Sequence, residues 1–199
     1  MEARFMRFSE EEISQLIKAW AAISLAFTLA RLSNIGAGFG SMNMMLELFL
    51  VSVFTVGLAF LLHELAHKFV AQRYGCWAEF RSFDMGLLLA VLMSLTGFIF
   101  AAPGAVMISG VVSTSERGKI AAAGPITNII LAALYWAISA FVPMTGLLGI
   151  LVLQGMTINA WLSIFNLIPF WNLDGLKIVQ WNMGVWALLM VTSIALFMV

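Results

Sequence analysis

The sequence predicts an all-α polytopic membrane protein with about five transmembrane helices and a re-entrant or short β-hairpin segment around residues 76–113. Three observations lead there. The 199 residues are 62% hydrophobic and 10% charged, with a mean hydropathy of +1.01. An ordinary soluble domain is about 45–50% apolar and about 25% charged. So few charges cannot cover so much apolar surface in water, and lipid is the natural solvent for most of the chain. Apolar runs recur at lengths suited to crossing a bilayer. Between residues 76 and 113 the helical pattern breaks into aromatic–polar alternation, Gly97, Pro103-Gly104 and the β-branched run AVMISGVVS.

Taken in order, Ser9-Glu10-Glu11-Glu12 has the S-x-x-E form of a capping box, so a helix starts near residue 10 and runs to about Leu32. Its purely apolar stretch, Ala19 to Ala30, rises only about 18 Å. It crosses if Lys18 and Arg31 snorkel; an interfacial helix is the competing reading. Residues 33–43 form a Gly-rich loop. From Met44 the chain is apolar to Leu62 apart from Glu47, Ser52 and Thr55, and the same helix carries His63, Glu64 and His67 on to Arg73. Gly75 suits its C-terminal cap, with Lys68 and Arg73 near the negative end of the helix dipole. Residues 76–84 form a short strand or interfacial turn, and 85–102 is an apolar stretch. Helices follow over 116–141 and 147–168, the second ended by Pro169. A short segment opens at Asn172-Leu173-Asp174-Gly175 and runs through Trp181, and a last apolar helix covers 184–199. No linker divides the chain, so a single integral-membrane domain spans 1–199, with no PDZ or other soluble domain.

Net charge is zero and the ten Lys and Arg are dispersed, which excludes a nucleic-acid stripe. The lone Cys76 excludes an intramolecular disulfide and any multi-Cys zinc site. The mixed-charge start MEARFMRFSEEE lacks the form of a cleavable signal peptide.

His63-Glu64-Leu65-Ala66-His67 is H-E-x-x-H. On a helix, residues four apart share a face, so both imidazoles reach one ion, and Glu64 stands beside the first of them to serve as general base. The chain has only these two histidines. Shuffling its composition yields this motif in roughly one sequence in a few thousand. The bland alternative is a pair of helix histidines packed against polar neighbours. After a long apolar run such a pair is costly, and ionisable groups at membrane depth are functional by default.

Catalytic zinc takes three protein ligands and leaves one position for water. With both histidines used, the third is Asp, Glu or Cys. The chain has two aspartates. Asp174 follows an apolar helix in an Asn-Leu-Asp-Gly turn. Asp84 lies near Arg81 and reads as half of a solvated Asp–Arg pair. Cys76 ranks third. Glu47 lies about 24 Å from His63 along one helix axis and cannot reach. Topology gives an independent test: if 85–102 crosses fully, Asp174 emerges on the side opposite His63. If 85–110 is a re-entrant hairpin turned at Gly97 and Pro103-Gly104, the two meet. In that case Arg4, Arg7, Lys18, Lys68, Arg73, Arg81, Arg117, Lys119 and Lys177 face one side and only Arg31 the other, which makes the first side cytoplasmic.

These residues resemble the site-2 protease family of intramembrane zinc metalloproteases (peptidase family M50). Three blocks in order carry the likeness, across about residues 46–182: the H-E-x-x-H helix, Gly124-Pro125-Ile126-Thr127-Asn128, and Asn166-Leu167-Ile168-Pro169 followed by Leu173-Asp174-Gly175. The resemblance implies one Zn2+ per chain held by His63, His67 and Asp174, Glu64 as catalytic base, and Asn128 and Asn166 lining the site to bind substrate or polarise the scissile carbonyl. For each asparagine an interhelical hydrogen bond is the plainer reading, and Gly124 reads as a close-packing glycine. The implied activity is cleavage of the transmembrane helix of another membrane protein, with Phe98 to Ser109 available to pair with the unwound substrate by strand addition. The expected setting is the cell membrane, multi-pass, with the active site toward the cytoplasmic side. An oligomer is compatible with the sequence. The alternatives are another membrane zincin using Glu79 or Glu116 as third ligand, a membrane metal-binding transporter, or a catalytically inactive scaffold.

Overall fold

A computed structural model describes residues 7–36, 41–99 and 103–199. Arg4, residues 37–40 of the expected loop and residues 100–102 of the expected apolar stretch lie outside them. Eight helices and two strands follow in order: α1 Glu10–Asn34, α2 Met42–Ser52, α3 Leu58–Arg73, β1 Trp77–Ser82, α4 Asp84–Ser94, β2 Gly104–Ser109, α5 Thr114–Ser139, α6 Gly146–Leu167, α7 Asp174–Trp181 and α8 Met183–Met198. A π-helical turn, Val53–Gly57, joins α2 to α3 without a break.

Among the described residues, four helical rods are long and apolar enough to cross a membrane: α1, the continuous Met42–Arg73, α5 and α6. The expected fifth, α8, has 16 residues. Its rise of about 24 Å falls short of a hydrocarbon core of about 30 Å. Large apolar side chains such as Leu50, Phe54, Leu88, Leu92, Leu134 and Leu153 are exposed on the outside of the bundle, where water would penalise them and lipid would not.

Local chemistry explains the helix ends. Ser9 Oγ accepts the Glu12 amide at 3.2 Å, which is the first half of the expected capping box. The return half is absent because Glu12 is engaged elsewhere: its carboxylate pairs with Lys68 and accepts the Phe80 amide at 2.9 Å, all fully buried. A complete capping box does form at Ser113 and Glu116, two residues earlier than the expected start of that helix. At the end of α3, Gly75 takes φ +80°, its amide bonds Gln72 O and the Cys76 amide bonds Ala71 O. That is a Schellman motif, which glycine enters without strain.

The expected segment over 76–113 forms a strand, a short helix and a returning strand. β1 and β2 pair antiparallel, with Ser82 opposite Gly104 and Phe80 opposite Val106. Between them α4 has 11 residues, and the chain beyond it meets the end of α1, where Asn34 Nδ2 donates to Gly97 O and Ser33 Oγ to Leu95 O, each at 3.1 Å. Because Gly104 lies opposite Ser82, the two ends of the segment lie side by side. The expected 18-residue apolar run breaks at Leu95–Gly97, where Gly97 takes φ +82°.

The core near the sheet joins Leu16, Ala19 and Ile23 of α1 to Phe60 of α3, Phe80 of β1 and Leu87 of α4. Phe60 and Phe80 meet edge to face at 5.7 Å. On the other side of α3, Ala121 and Ala122 of α5 pack with Leu167 and Ile178, which docks α7 against the bundle.

Candidate metal centre

Two crossings, α5 and α6, separate α3 from α7 and bring Asp174 back to the level of His63. Gly175 permits the last step. A Cβ there would run into the Leu167 carbonyl, so only glycine lets the first turn of α7 lie against the end of α6.

His63, His67 and Asp174 converge as one buried cluster with a ligand atom each. The two Nε2 atoms lie 3.0 Å apart. Asp174 Oδ2 stands 3.3 Å from His63 Nε2 and 3.1 Å from His67 Nε2. The three atoms thus make a nearly equilateral triangle. One face of a tetrahedron with bonds of about 2.0–2.1 Å has edges of about 3.3–3.4 Å. The donor set, two imidazoles and a carboxylate, suits zinc as well as the spacing does.

Hydrogen bonds behind the imidazoles fix which nitrogen faces the centre. His67 Nδ1 lies 2.8 Å from the Ile120 carbonyl, which can only accept, so Nδ1 carries the proton and Nε2 is free to ligate. His63 Nδ1 lies 2.6 Å from Asn128 Oδ1. The oxygen is assigned by the other end of the amide, whose Nδ2 donates to Ala59 O at 3.2 Å and Asn159 Oδ1 at 3.0 Å. Asn159 in turn donates to Gly155 O at 2.8 Å. Asp174 is held from outside by Lys177, whose Nζ is 3.5 Å from Oδ1, leaving Oδ2 toward the imidazoles.

Glu64 is buried next to His63, and its Oε2 accepts the Val106 amide at 3.0 Å. The strand register shows why that amide is available. Phe80 and Val106 are partners, yet the Phe80 amide points to Glu12 and the Val106 amide to Glu64. They form a non-hydrogen-bonded pair. The same parity turns the amide of Ser82 outward, to Gln15 Oε1 at 2.9 Å, and the carbonyl of Ala78, to Gln72 Nε2 at 3.3 Å. The outer edge of β1 is therefore capped by side chains of α1 and α3, while the outer edge of β2 faces the side of Glu64.

Asn166 is not drawn into the cluster; its side-chain hydrogen bond goes to Leu162 O of its own helix at 2.9 Å. The runners-up are all occupied elsewhere. Asp84 pairs with Lys18 at 2.6 Å instead of Arg81, and the hydrogen bonds from Lys18 and Ser82 hold its carboxyl below the usual carboxylate range. Arg81 instead takes Glu79 at 2.7 Å. Cys76 is buried with Ala71, Ala78 and Ile120, and Glu116 caps α5. Sequence reading passed over Asn159, Lys177 and the Val106 amide. Asn159 carried a signal, an amide in mid-run on an apolar helix. Lys177 is visible only as a residue one turn after Asp174, and a backbone amide leaves no trace in the sequence.

Fold and site together define a helical protein with four candidate membrane spans and a buried His2Asp cluster that could hold a metal ion. No family model matches the chain, and no solved structure matches it. It is 36% identical over 184 residues to a protein of Methanocaldococcus jannaschii named "Putative zinc metalloprotease", the match covering 92% of this chain and 90% of that one. The chain belongs to the same zinc metalloprotease family.

Proposed function

We propose that this chain is an intramembrane zinc endopeptidase of the site-2 protease type, cleaving peptide bonds in or near the transmembrane segments of other membrane proteins. The observation that carries the reading is the buried triangle of His63 Nε2, His67 Nε2 and Asp174 Oδ2 with Glu64 beside it, inside a bundle whose rods have transmembrane length.

His63, His67 and Asp174 would hold the ion. Zinc bound there supplies a Lewis acid and lowers the pKa of its water to about 7. Asn128 and the Ile120 carbonyl keep both imidazoles in the ligating tautomer, and Lys177 keeps Asp174 turned inward. Glu64 would take a proton from water as its oxygen adds to the scissile carbonyl carbon, and would deliver that proton to the amine nitrogen as the C–N bond breaks. Its second task is geometric. The Val106 amide ties the carboxylate to β2, so the base stands at the open edge of the sheet. A substrate segment, unwound because helical peptide bonds are shielded, adds to that edge as a third strand and meets Glu64 directly. Asn128, with its amide fully engaged, acts through His63 rather than on the substrate. Asn166, whose amide donates to Leu162 O, stays the candidate for substrate contact. One side of the membrane then carries the site, and the charge pattern makes it the cytoplasmic one.

The test is Glu64→Gln in proteoliposomes with a single-span substrate. Hydrolysis falls by about 10²–10⁴-fold while zinc per chain stays at the wild-type value. A transporter or an inactive scaffold would keep its function in the same variant, and unchanged cleavage would rule the mechanism out.

A further inference from the structure

The glycines of this bundle face different neighbours, and one neighbour is chemical rather than merely steric. A Cβ built at Gly149 would meet the Met144 backbone, at Gly155 the Tyr135 ring, and at Gly118 the Trp181 side chain. These are packing glycines, where helices or turns approach closely. At Gly124 the added carbon would stand 2.5 Å from Nε2 of His63 and 2.5 Å from Nε2 of His67, with His63 Cε1 at 2.6 Å. Both nitrogens are the ones left free to ligate by the Asn128 and Ile120 hydrogen bonds.

The distances decide what that means. A carbon 2.5 Å from both ligating nitrogens and 2.6 Å from His63 Cε1 presses on the edges of the two imidazoles themselves. Non-bonded heavy atoms settle at about 3.5–4.0 Å. A side chain at 124 therefore pushes the imidazoles away from the positions in which their Nε2 atoms converge. The imidazoles have little room to yield, since each is tied from behind by a hydrogen bond of 2.8 Å or less. Gly124 itself sits on α5 between two of those anchors, Ile120 one turn before it and Asn128 one turn after. One face of α5 thus sets the tautomer of both histidines and, at its centre, stands back from their ligating atoms.

We propose that Gly124 is a positioning residue of the metal centre: its missing side chain lets both imidazoles keep the places from which His63 and His67 hold a divalent cation. The proposal rests on the zinc reading above and extends it to a residue that ligates nothing.

The experiment uses the full chain in detergent micelles, with zinc affinity measured in zinc-buffered solution and thermal unfolding followed in the metal-free state. The variants are Gly124→Ala, Gly149→Ala as a packing control, and Gly124→Ala in a His63→Ala/His67→Ala background. Wild type binds about one zinc, Gly149→Ala keeps wild-type affinity, and Gly124→Ala weakens it by at least about 10–100-fold, the range seen when support around a metal site is lost. Without metal, Gly124→Ala also melts below wild type, and that difference shrinks once both imidazoles are gone. If Gly124→Ala does not fold, recovery of folding in the imidazole-free background supports the proposal, and failure to recover overturns it. Wild-type zinc affinity in Gly124→Ala, or an equal loss of stability in both backgrounds, likewise overturns it and reduces Gly124 to a packing residue. A wild-type chain that binds no zinc sinks the metalloprotease reading instead, and the unfolding comparison still reports on the contact.

Discussion

Two buried polar clusters share α3, and adjacent residues, His67 and Lys68, lead into them. On one side Lys68 and Glu12 pair with no exposure at all, Glu12 also takes the Phe80 amide, and Phe8 lies over the ammonium at 4.1 Å. Charge is cancelled and the acceptors are used. On the other side His63, His67 and Asp174 aim three electron-pair donors at one another across 3.0–3.3 Å. A cluster built for stability closes its own hydrogen bonds. A cluster of converging donors is stable only when something cationic joins it. The sheet spans the two: the Phe80 amide of β1 serves Glu12, and the Val106 amide of β2 serves Glu64. The same strand pair is thus anchored at one edge and presented at the other.

Substitutions can break this contrast in graded steps. Removing a ligand should do most. Asp174→Ala is expected to weaken zinc binding by more than about 100-fold, beyond what loss of a ligand's hydrogen-bond partner does, as read by metal titration. In the other cluster, Lys68→Met strands a buried carboxylate and should destabilise the fold by about 3–5 kcal/mol in denaturant unfolding, with zinc stoichiometry unchanged in the fraction that folds. Adding Glu12→Gln should restore most of that stability, because a neutral amide replaces the stranded carboxylate and still accepts the Phe80 amide. An unimproved double variant would mean the cluster is more than structural. Asn128→Ala should weaken zinc by about 10–100-fold, since His63 loses the acceptor that sets its tautomer; equal affinity would leave Asn128 with an interhelical role only. The smallest effect belongs to the strand. Ile108 shares the outward parity of Val106, so Ile108→Pro removes an edge amide without touching a ladder bond. Turnover should fall by up to about tenfold, the worth of one hydrogen bond, with zinc retained. Unchanged kinetics would count against strand addition at this edge.

Much of this was legible in the residues. The apolar rods, the H-E-x-x-H face and the Gly75 cap follow from periodicity and composition, while Asp174 meets that face under one of two topologies and is the third ligand that the family resemblance implies. Where the structure departs from the sequence expectations, the reasons are specific. Glu12 looked like the second half of a capping box, because a local pattern cannot reveal a lysine 56 positions away that claims the carboxylate. Asp84 was matched to its near neighbour Arg81, whereas Lys18, distant in sequence, reaches it across α1 and α4. In each case the deciding partner is long-range, and only the packed bundle brings it near.

The π-helical turn at Val53–Gly57 has a consequence for where the imidazoles point. Such a turn adds one residue to the winding, and its loosened carbonyls are taken up from outside: Trp20 Nε1 donates to Val53 O at 3.2 Å and Tyr135 Oη to Phe54 O at 3.0 Å. One extra residue shifts the azimuth of everything downstream by about 100°. The rod enters with Leu46, Leu50 and Phe54 outward and leaves with His63 and His67 inward, and the extra residue sets which part of that inward half the two imidazoles face. The bearing of the ligating face is set by helix phase, a quantity that no single ligand encodes and that Trp20 and Tyr135 hold in place.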